Sequence, residues 1–208
     1  MPDRPRKAQQ PKARGRPALV QCPWVGYTLR ATDPRYCRGS SRMNEKRRDM
    51  RAIQIRHPGG LDQLQPVEQD IPEPGPGQIR VRWHASSLNY HDLLVANGGI
   101  PVTDGRIPMS DGAGKIDAVS SDVTRWQVGD RVMSLFFPDW QEGRHHPERT
   151  AAVTGDTIDG CACEYAVLAE NAVTPMPKNL SFAEAATLPC AGLTAWHALM
   201  MRGKMQAG

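Results

Sequence analysis

Residues 72–78, PEPGPGQ, cannot be helical. Each proline lacks a backbone donor and fixes its φ, and the glycines between them punctuate the chain further. The residues that follow alternate strictly. Ile79, Val81, Trp83 and Ala85 fall on one side, and Arg80, Arg82 and His84 on the other. A period of two with one apolar face is a strand laid on a core. A breaker followed by a half-buried strand commits this part of the chain to a turn-rich β architecture.

The flanking sequence extends the pattern. RAIQIR at 51–56 predicts a first strand and 64–70 a second, separated by the turn at Gly59-Gly60. Residues 89–96 predict a short helix that stops at Asn97-Gly98-Gly99. Ser110 and Asp111 fall in a glycine-rich turn beside Gly112 and Gly114, where glycine permits a sharp change of direction. Strands are expected at 115–119, 130–137 and 161–168. The polar stretch 138–159 reads as a long loop, of the kind that is usually functional or mobile. Ser181-Phe182-Ala183-Glu184 matches a capping box and opens a helix that Pro189 breaks. A longer helix over 190–201 presents Leu193, Trp196, Leu199 and Met200 on one face and ends at Gly203. Many short strands followed by helices predict a mainly β domain with C-terminal helices, an α+β fold.

Charge divides the chain unevenly. Of its 26 Lys and Arg, 13 lie in residues 1–48 against three acids, whereas the remaining residues carry 13 basic and 19 acidic groups. Residues 1–49 are therefore expected to be a disordered basic tail: a dispensable extension, an organelle-targeting segment or a nucleic-acid-binding arm. The mildly acidic body gives no support for nucleic-acid binding. No apolar run is long enough to span a membrane. Five cysteines, oddly spaced, suggest neither a disulfide framework nor a zinc ribbon, and the cytoplasm is the expected compartment. Cys161 and Cys163 are expected to be buried small residues.

Four motifs in order, GPGQIRVRWHASSLNYHDL, IPMSDGAGKIDAV, VGDRVM and SFAEAATLPCAGLTAWHAL, resemble the medium-chain dehydrogenase/reductase superfamily. The similarity covers residues 50–208 and is greatest to the zinc-independent quinone-oxidoreductase-like and alcohol-dehydrogenase-like branches. It implies a GroES-like, partly open β-barrel at 50–180, followed at 181–208 by a helical connection to a Rossmann domain. That second domain would bind NADP(H) or NAD(H). No G-x-G-x-x-G follows a strand within the 208 residues, so the chain reads as ending before its cofactor half, and tight dinucleotide binding by it alone is not expected.

The resemblance also assigns roles. The metal-ligand positions of zinc-dependent relatives fall at Asn89, Ser110 and Cys190, a set with one soft ligand, so neither catalytic nor structural zinc is expected. Without a metal, hydrogen-bond donors must polarise the substrate oxygen. Asn89, with its amide donor, would face nicotinamide and substrate, or cap the short helix, or do both. Tyr90 is a second donor or an aromatic wall. His91 stands at a proton-relay position, where an imidazole could serve at neutral pH, or is a surface residue. Asp92 reads as structural. Thr194 matches a hydroxyl that lies near the nicotinamide, or is back-bonded within its helix. Trp140, His145 and His146 line a substrate entrance or are solvated. The expected activity is hydride transfer to or from a small carbonyl, quinone or enone, with the chain inactive alone. Homo-oligomers or self-association through uncovered apolar surface are also expected. The alternative is a non-catalytic GroES-like binding module.

Overall fold

A computed structural model describes residues 19–21, 28–30 and 49–206. The chain divides into two compact units, 1–43 and 44–208. Of the first, β1 (Leu19–Gln21) and β2 (Thr28–Arg30) are described, paired antiparallel. The expectation of disorder for the rest of the tail concerns residues outside those described.

The second unit is mainly β, in open sheets. β3 (Asp49–Ile55) pairs antiparallel with β4 (Leu64–Asp70). Pro66 is tolerated in β4 because that strand has one neighbour and leaves its other edge unpaired. A five-stranded antiparallel sheet follows, in the order β8-β5-β6-β7-β9. Its strands are β5 (Gln78–Ser87), β6 (Asp111–Val119), β7 (Arg131–Ser134), β8 (Tyr165–Ala169) and β9 (Val173–Pro175). The alternation expected in β5 is present: Ile79, Val81 and Trp83 are buried, and Arg82 and His84 are exposed. They share one core with Met50, Ala52, Ile116, Val132, Cys161 and Cys163. Burial pushes the Cys163 thiol up to about 12 and the Cys161 thiol well above its ordinary value, so both pack as neutral apolar groups.

Three expectations are corrected. Residues 111–114 are strand, not turn: β6 begins at Asp111. Neither Gly112 nor Gly114 has a positive φ. The glycines serve close approach instead, since a Cβ on Gly114 would stand 2.2 Å from the Arg82 carbonyl oxygen of β5. The sharp turn falls one step earlier, at Met109, whose φ of 77° is a left-handed conformation that non-glycine residues seldom adopt. Next, residues 161–163 precede their strand rather than belong to it. The N–H groups of Cys161 and Ala162 donate to the Met109 and Pro108 carbonyls at 2.7 and 3.0 Å. The helix expected over 190–201 is also not uniform. α3 (Leu193–Trp196) lies between wider π-type turns at Leu188–Gly192 and His197–Arg202, where Gly192 N–H reaches back five residues to the Thr187 carbonyl. Pro189, which has no N–H, sits in the first of these turns.

α2 (Phe182–Ala185) opens with the expected capping box: Ser181 N–H donates to Glu184 Oε2 at 2.8 Å and Glu184 N–H to Ser181 Oγ at 3.3 Å. α1 (Tyr90–Ala96) bridges β5 to the Met109 turn. Among the described residues no helix is long and apolar enough to cross a membrane.

Candidate active site

Three pieces of backbone meet at the N-terminus of α1: the helix start, the first residues of β6 and the turn that carries Cys190. Asn89 is the N-cap, with extended backbone. Its N–H donates to Asp92 Oδ2 at 2.7 Å, the backward half of a capping box. The other Asp92 oxygen accepts the Ser110 N–H at 2.9 Å. One buried carboxylate thus fastens the helix start to the strand start, and it places the two side chains facing each other. Asn89 Nδ2 donates to Ser110 Oγ at 3.1 Å. Ser134 Oγ, from β7, donates to the Ser110 carbonyl at 3.0 Å and accepts the Gly112 N–H at 2.8 Å. Asp92 is therefore structural, as its sequence context suggests, but it acts on both candidate site residues rather than on a metal ligand.

The electrostatics of the cluster follow from burial. Desolvation raises the Asp92 carboxyl above its usual value, opposed by the N–H groups of Asn89 and Ser110 and by nearby His91. Asp111 is fully buried beside it. Desolvation lifts its carboxyl too, held back by the Asn89 amide and the Cys190 N–H, while the Asp92 charge adds to the rise. Its Oδ2 accepts that N–H at 3.1 Å, and its Oδ1 has no hydrogen-bond partner among the described residues. Burial, then the two carboxylates, raise the Cys190 thiol.

This chemistry does not suit zinc. Of the three positions where zinc-dependent relatives place ligands, one carries an amide and one a hydroxyl, already bonded to each other. The third carries a thiol, so the set holds one soft ligand of three. Tetrahedral zinc takes thiolate, imidazole or carboxylate ligands.

The remaining site residues are spread around this cluster. Tyr90 is 74% exposed. It lines a cavity of about 540 Å³ whose walls are mostly aliphatic, including Leu64, Leu88, Leu93 and Met109, with Asn89 among them. His91 points elsewhere. Its ring meets Phe136 edge-on with centroids 5.1 Å apart, and its Nε2 lies 3.6 Å from Asp156 Oδ2. Thr194 is exposed on α3, four residues after Cys190 and so on the same helical face. No hydrogen bond joins Thr194 to Asn89 among the described residues. Trp140 and His145 pack edge to face at 5.8 Å, while His146 is solvated beside Glu148.

Sequence reasoning missed Asp156, Phe136 and Ser134. Asp156 lies in a polar loop where charges are ordinarily solvated, and its one signal is the preceding Gly155, whose φ of 82° fixes the turn. The strain at Met109 was also invisible, because methionine carries no turn signature. The strained residue directly precedes Ser110, a position where such backbone is commonly found in functional sites.

Residues 75–178 match the alcohol dehydrogenase GroES-like domain family. A zinc-type alcohol dehydrogenase-like protein of Schizosaccharomyces pombe is 44% identical over 143 residues, covering 67% of this chain and 41% of the relative. A quinone oxidoreductase of Pseudomonas aeruginosa is 33% identical over 161 residues, covering 75% of this chain and 42% of that protein. Among solved structures, a cobalt- and zinc-bound thermostable alcohol dehydrogenase of Pyrobaculum aerophilum superposes with a TM-score of 0.65 at 27% identity, over 77% of this chain and 50% of that one. The chain spans between about two fifths and one half of the length of these proteins.

Proposed function

The chain belongs to the alcohol dehydrogenase GroES-like domain family of the medium-chain dehydrogenase/reductase superfamily, and from that membership we propose that residues 78–114 carry the substrate side of a zinc-independent oxidoreductase. The substrate is a small carbonyl, quinone or enone, or the corresponding reduced compound. A nicotinamide, as NADP(H) or NAD(H), supplies or receives the hydride when bound. The residues of this chain that would face it are Asn89 and Thr194.

The observation that carries this reading is the hydrogen bond from Asn89 to Ser110 across the positions that hold metal in zinc-dependent relatives. A carbonyl oxygen needs a preorganised donor in place of the metal. Asn89 is held by its own backbone, through Asp92, so its amide costs little to orient. The amide has two N–H groups; Ser110 takes one, and the other would be offered to a substrate oxygen. The cavity beside Tyr90 offers aliphatic walls for the rest of a small apolar substrate.

The dinucleotide is proposed to be held by residues outside these 208, and the chain to be inactive by itself. Support comes from the coverage of its relatives and from the lack of a G-x-G-x-x-G turn after any strand of the sequence. A cytoplasmic setting is proposed from Cys161, Cys163 and Cys190, all free thiols.

Turnover by the enzyme containing this chain tests the reading. Asn89→Ala should lower kcat/KM by about 100-fold, the usual scale for removing one oxyanion donor. Retained turnover in a folded Asn89→Ala variant, or stoichiometric zinc in the purified active enzyme, would overturn it. Titrating NADPH fluorescence with the 208-residue chain separates the cofactor question: no change is expected, and tight binding would refute the dependence on outside residues.

A further inference from the structure

The outer face of the five-stranded sheet is covered at one end. Ala185 and Phe182 of α2 pack there over Ala113 and Met133. Two residues along β6 from Ala113, and so on the same face, Lys115 is exposed. Here a row of cations crosses three neighbouring strands. Arg82 of β5 stands directly opposite Lys115 of β6, and Lys115 directly opposite Arg131 of β7. Residues paired in this way share one face, and like charges so placed repel. The acids on this side go to Arg80 instead, Asp117 at 2.7 Å and Glu73 at 2.9 Å. Among the described residues no carboxylate forms an ion pair with Arg82, Lys115 or Arg131.

The surroundings hold these charges in place without neutralising them. The Arg131 guanidinium donates to the Lys178 and Leu180 carbonyls at 3.4 and 2.7 Å and lies over the Phe182 ring. Arg82 lies over the Tyr165 ring, 5.9 Å from its centroid. His84 completes the group. Trp83 pairs with Gly114 and Ala85 with Ala113, so His84 is the extra residue of a β-bulge, a device that re-aims a side chain. Its ring stacks on Phe182 with centroids 4.4 Å apart. Burial, then the charges of Arg82 and Lys115, pull its imidazole below the ordinary value.

We propose that Arg82, Lys115 and His84, with the fixed charge of Arg131 beside them, form a binding site for a phosphate group, free or as the terminal monoester of a small molecule. A phosphate monoester carries about two negative charges and three acceptor oxygens. Arg82 offers a planar fork that matches two oxygens, Lys115 a point charge and His84 a ring N–H. A single carboxylate would leave most of the row uncompensated. A long polyanion is disfavoured, because Asp117 and Glu73 stand on the neighbouring Arg80 and residues 49–208 carry 13 basic groups against 19 acidic. The assignment is independent of the oxidoreductase reading.

Titrating inorganic phosphate into the ¹⁵N-labelled 208-residue chain, at neutral pH and at an ionic strength held constant with chloride, tests the site. Saturable shifts are expected at the amides of Arg82, His84 and Lys115. Arg82→Gln and Lys115→Gln should each weaken binding about tenfold, the scale of one hydrogen bond to a charged group. Arg125→Gln, which removes an exposed arginine outside the row, should leave it unchanged. Glycerol phosphate run in parallel distinguishes the sources: tighter binding assigns the site to a monoester, equal or weaker binding to free phosphate. Because the row repels itself, Lys115→Gln should also raise the urea midpoint at low salt without phosphate. Phosphate strengthens burial in any protein, so the site is read from a larger rise in the parent than in Lys115→Gln. Shifts that grow linearly without saturating, shifts centred on another surface, or equal weakening by Arg125→Gln would overturn the proposal, and the first two are decided on the unmodified chain.

Discussion

The Asn89–Ser110 cluster and the helical stretch Leu188–Arg202 are joined by one hydrogen bond, from Cys190 N–H to Asp111, and they are built in opposite ways. In the cluster every element is tied by polar groups that water does not reach: Asp92, Ser110, Asp111 and Ser134 are all buried. In the helical stretch the large apolar side chains face outward, with Leu193 59%, Trp196 53% and Met201 57% exposed. The motifs that identify the family run through both. The difference teaches that the cluster's geometry is fixed by its own domain, whereas the helical stretch draws almost none of its order from side-chain burial. A substitution in the first should act through stability and orientation together, and one in the second should leave stability alone.

Asp92→Ala is the severest test of that contrast. It strands two N–H groups, the buried one of Ser110 and the half-buried one of Asn89, and removes a cap. An unsatisfied buried donor costs about 1–3 kcal/mol and a lost cap about 1 kcal/mol, partly offset by relief of a desolvated charge. The expected loss is about 2–4 kcal/mol in urea unfolding of the 208-residue chain. A loss under about 0.5 kcal/mol would mean the clamp is not what fixes the cluster. Gly155→Ala comes next. It puts a side chain at positive φ against the Met109 backbone, and strain of this kind costs about 1–3 kcal/mol. An unchanged urea midpoint would show that the turn behind Ser110 yields freely.

The same contrast explains what could be read in the sequence. Period-two alternation announced β5, and the capping pattern announced α2, because both are local consequences of burial and of orphan donors. Asn89 as helix cap was legible for the same reason. The strand at 111–114 was not. Two glycines suit a turn and a close backbone contact equally, and only the proximity of Arg82 in β5 decides between them. Asp156 was out of reach, since its meeting with His91 depends on a loop closure 65 residues along the chain. For the helical stretch helical structure was legible, but its i→i−5 winding depends on which carbonyl each N–H finds, which no periodicity records.

Asp111→Asn probes the cluster more gently. The Asp111 carboxyl titrates higher in the folded chain than its ordinary 3.8, chiefly through burial. A carboxyl raised in this way binds its proton more tightly folded than unfolded. Its contribution therefore favours folding below about pH 3.8 and is lost as pH rises through the higher folded value. Asparagine keeps an acceptor for the Cys190 N–H and carries no charge. The variant should be more stable than the parent at pH 7, by less than the Asp92→Ala loss, with the advantage vanishing on acidification below about 3.8. Asp92, raised for the same reason, should leave both proteins with some residual slope. Parallel stability–pH curves for parent and variant would show that Asp111 is not carrying a buried charge.

Trp196→Ser addresses the other region and should have the smallest effect on stability. The indole is more than half exposed and belongs to neither buried core cluster. Exposed substitutions away from caps and strained backbone usually change stability by within about 0.5 kcal/mol, and the same is expected here from urea unfolding. Sedimentation should nonetheless change. Leu193, Trp196, Leu199 and Met200 are all exposed, and exposed apolar surface of this kind promotes association. Replacing its largest member with a polar residue should lower any self-association of the 208-residue chain at high concentration. If Trp196→Ser instead cost as much stability as Gly155→Ala, the helical stretch would be packed as tightly as the cluster, and the contrast between the two regions would fail.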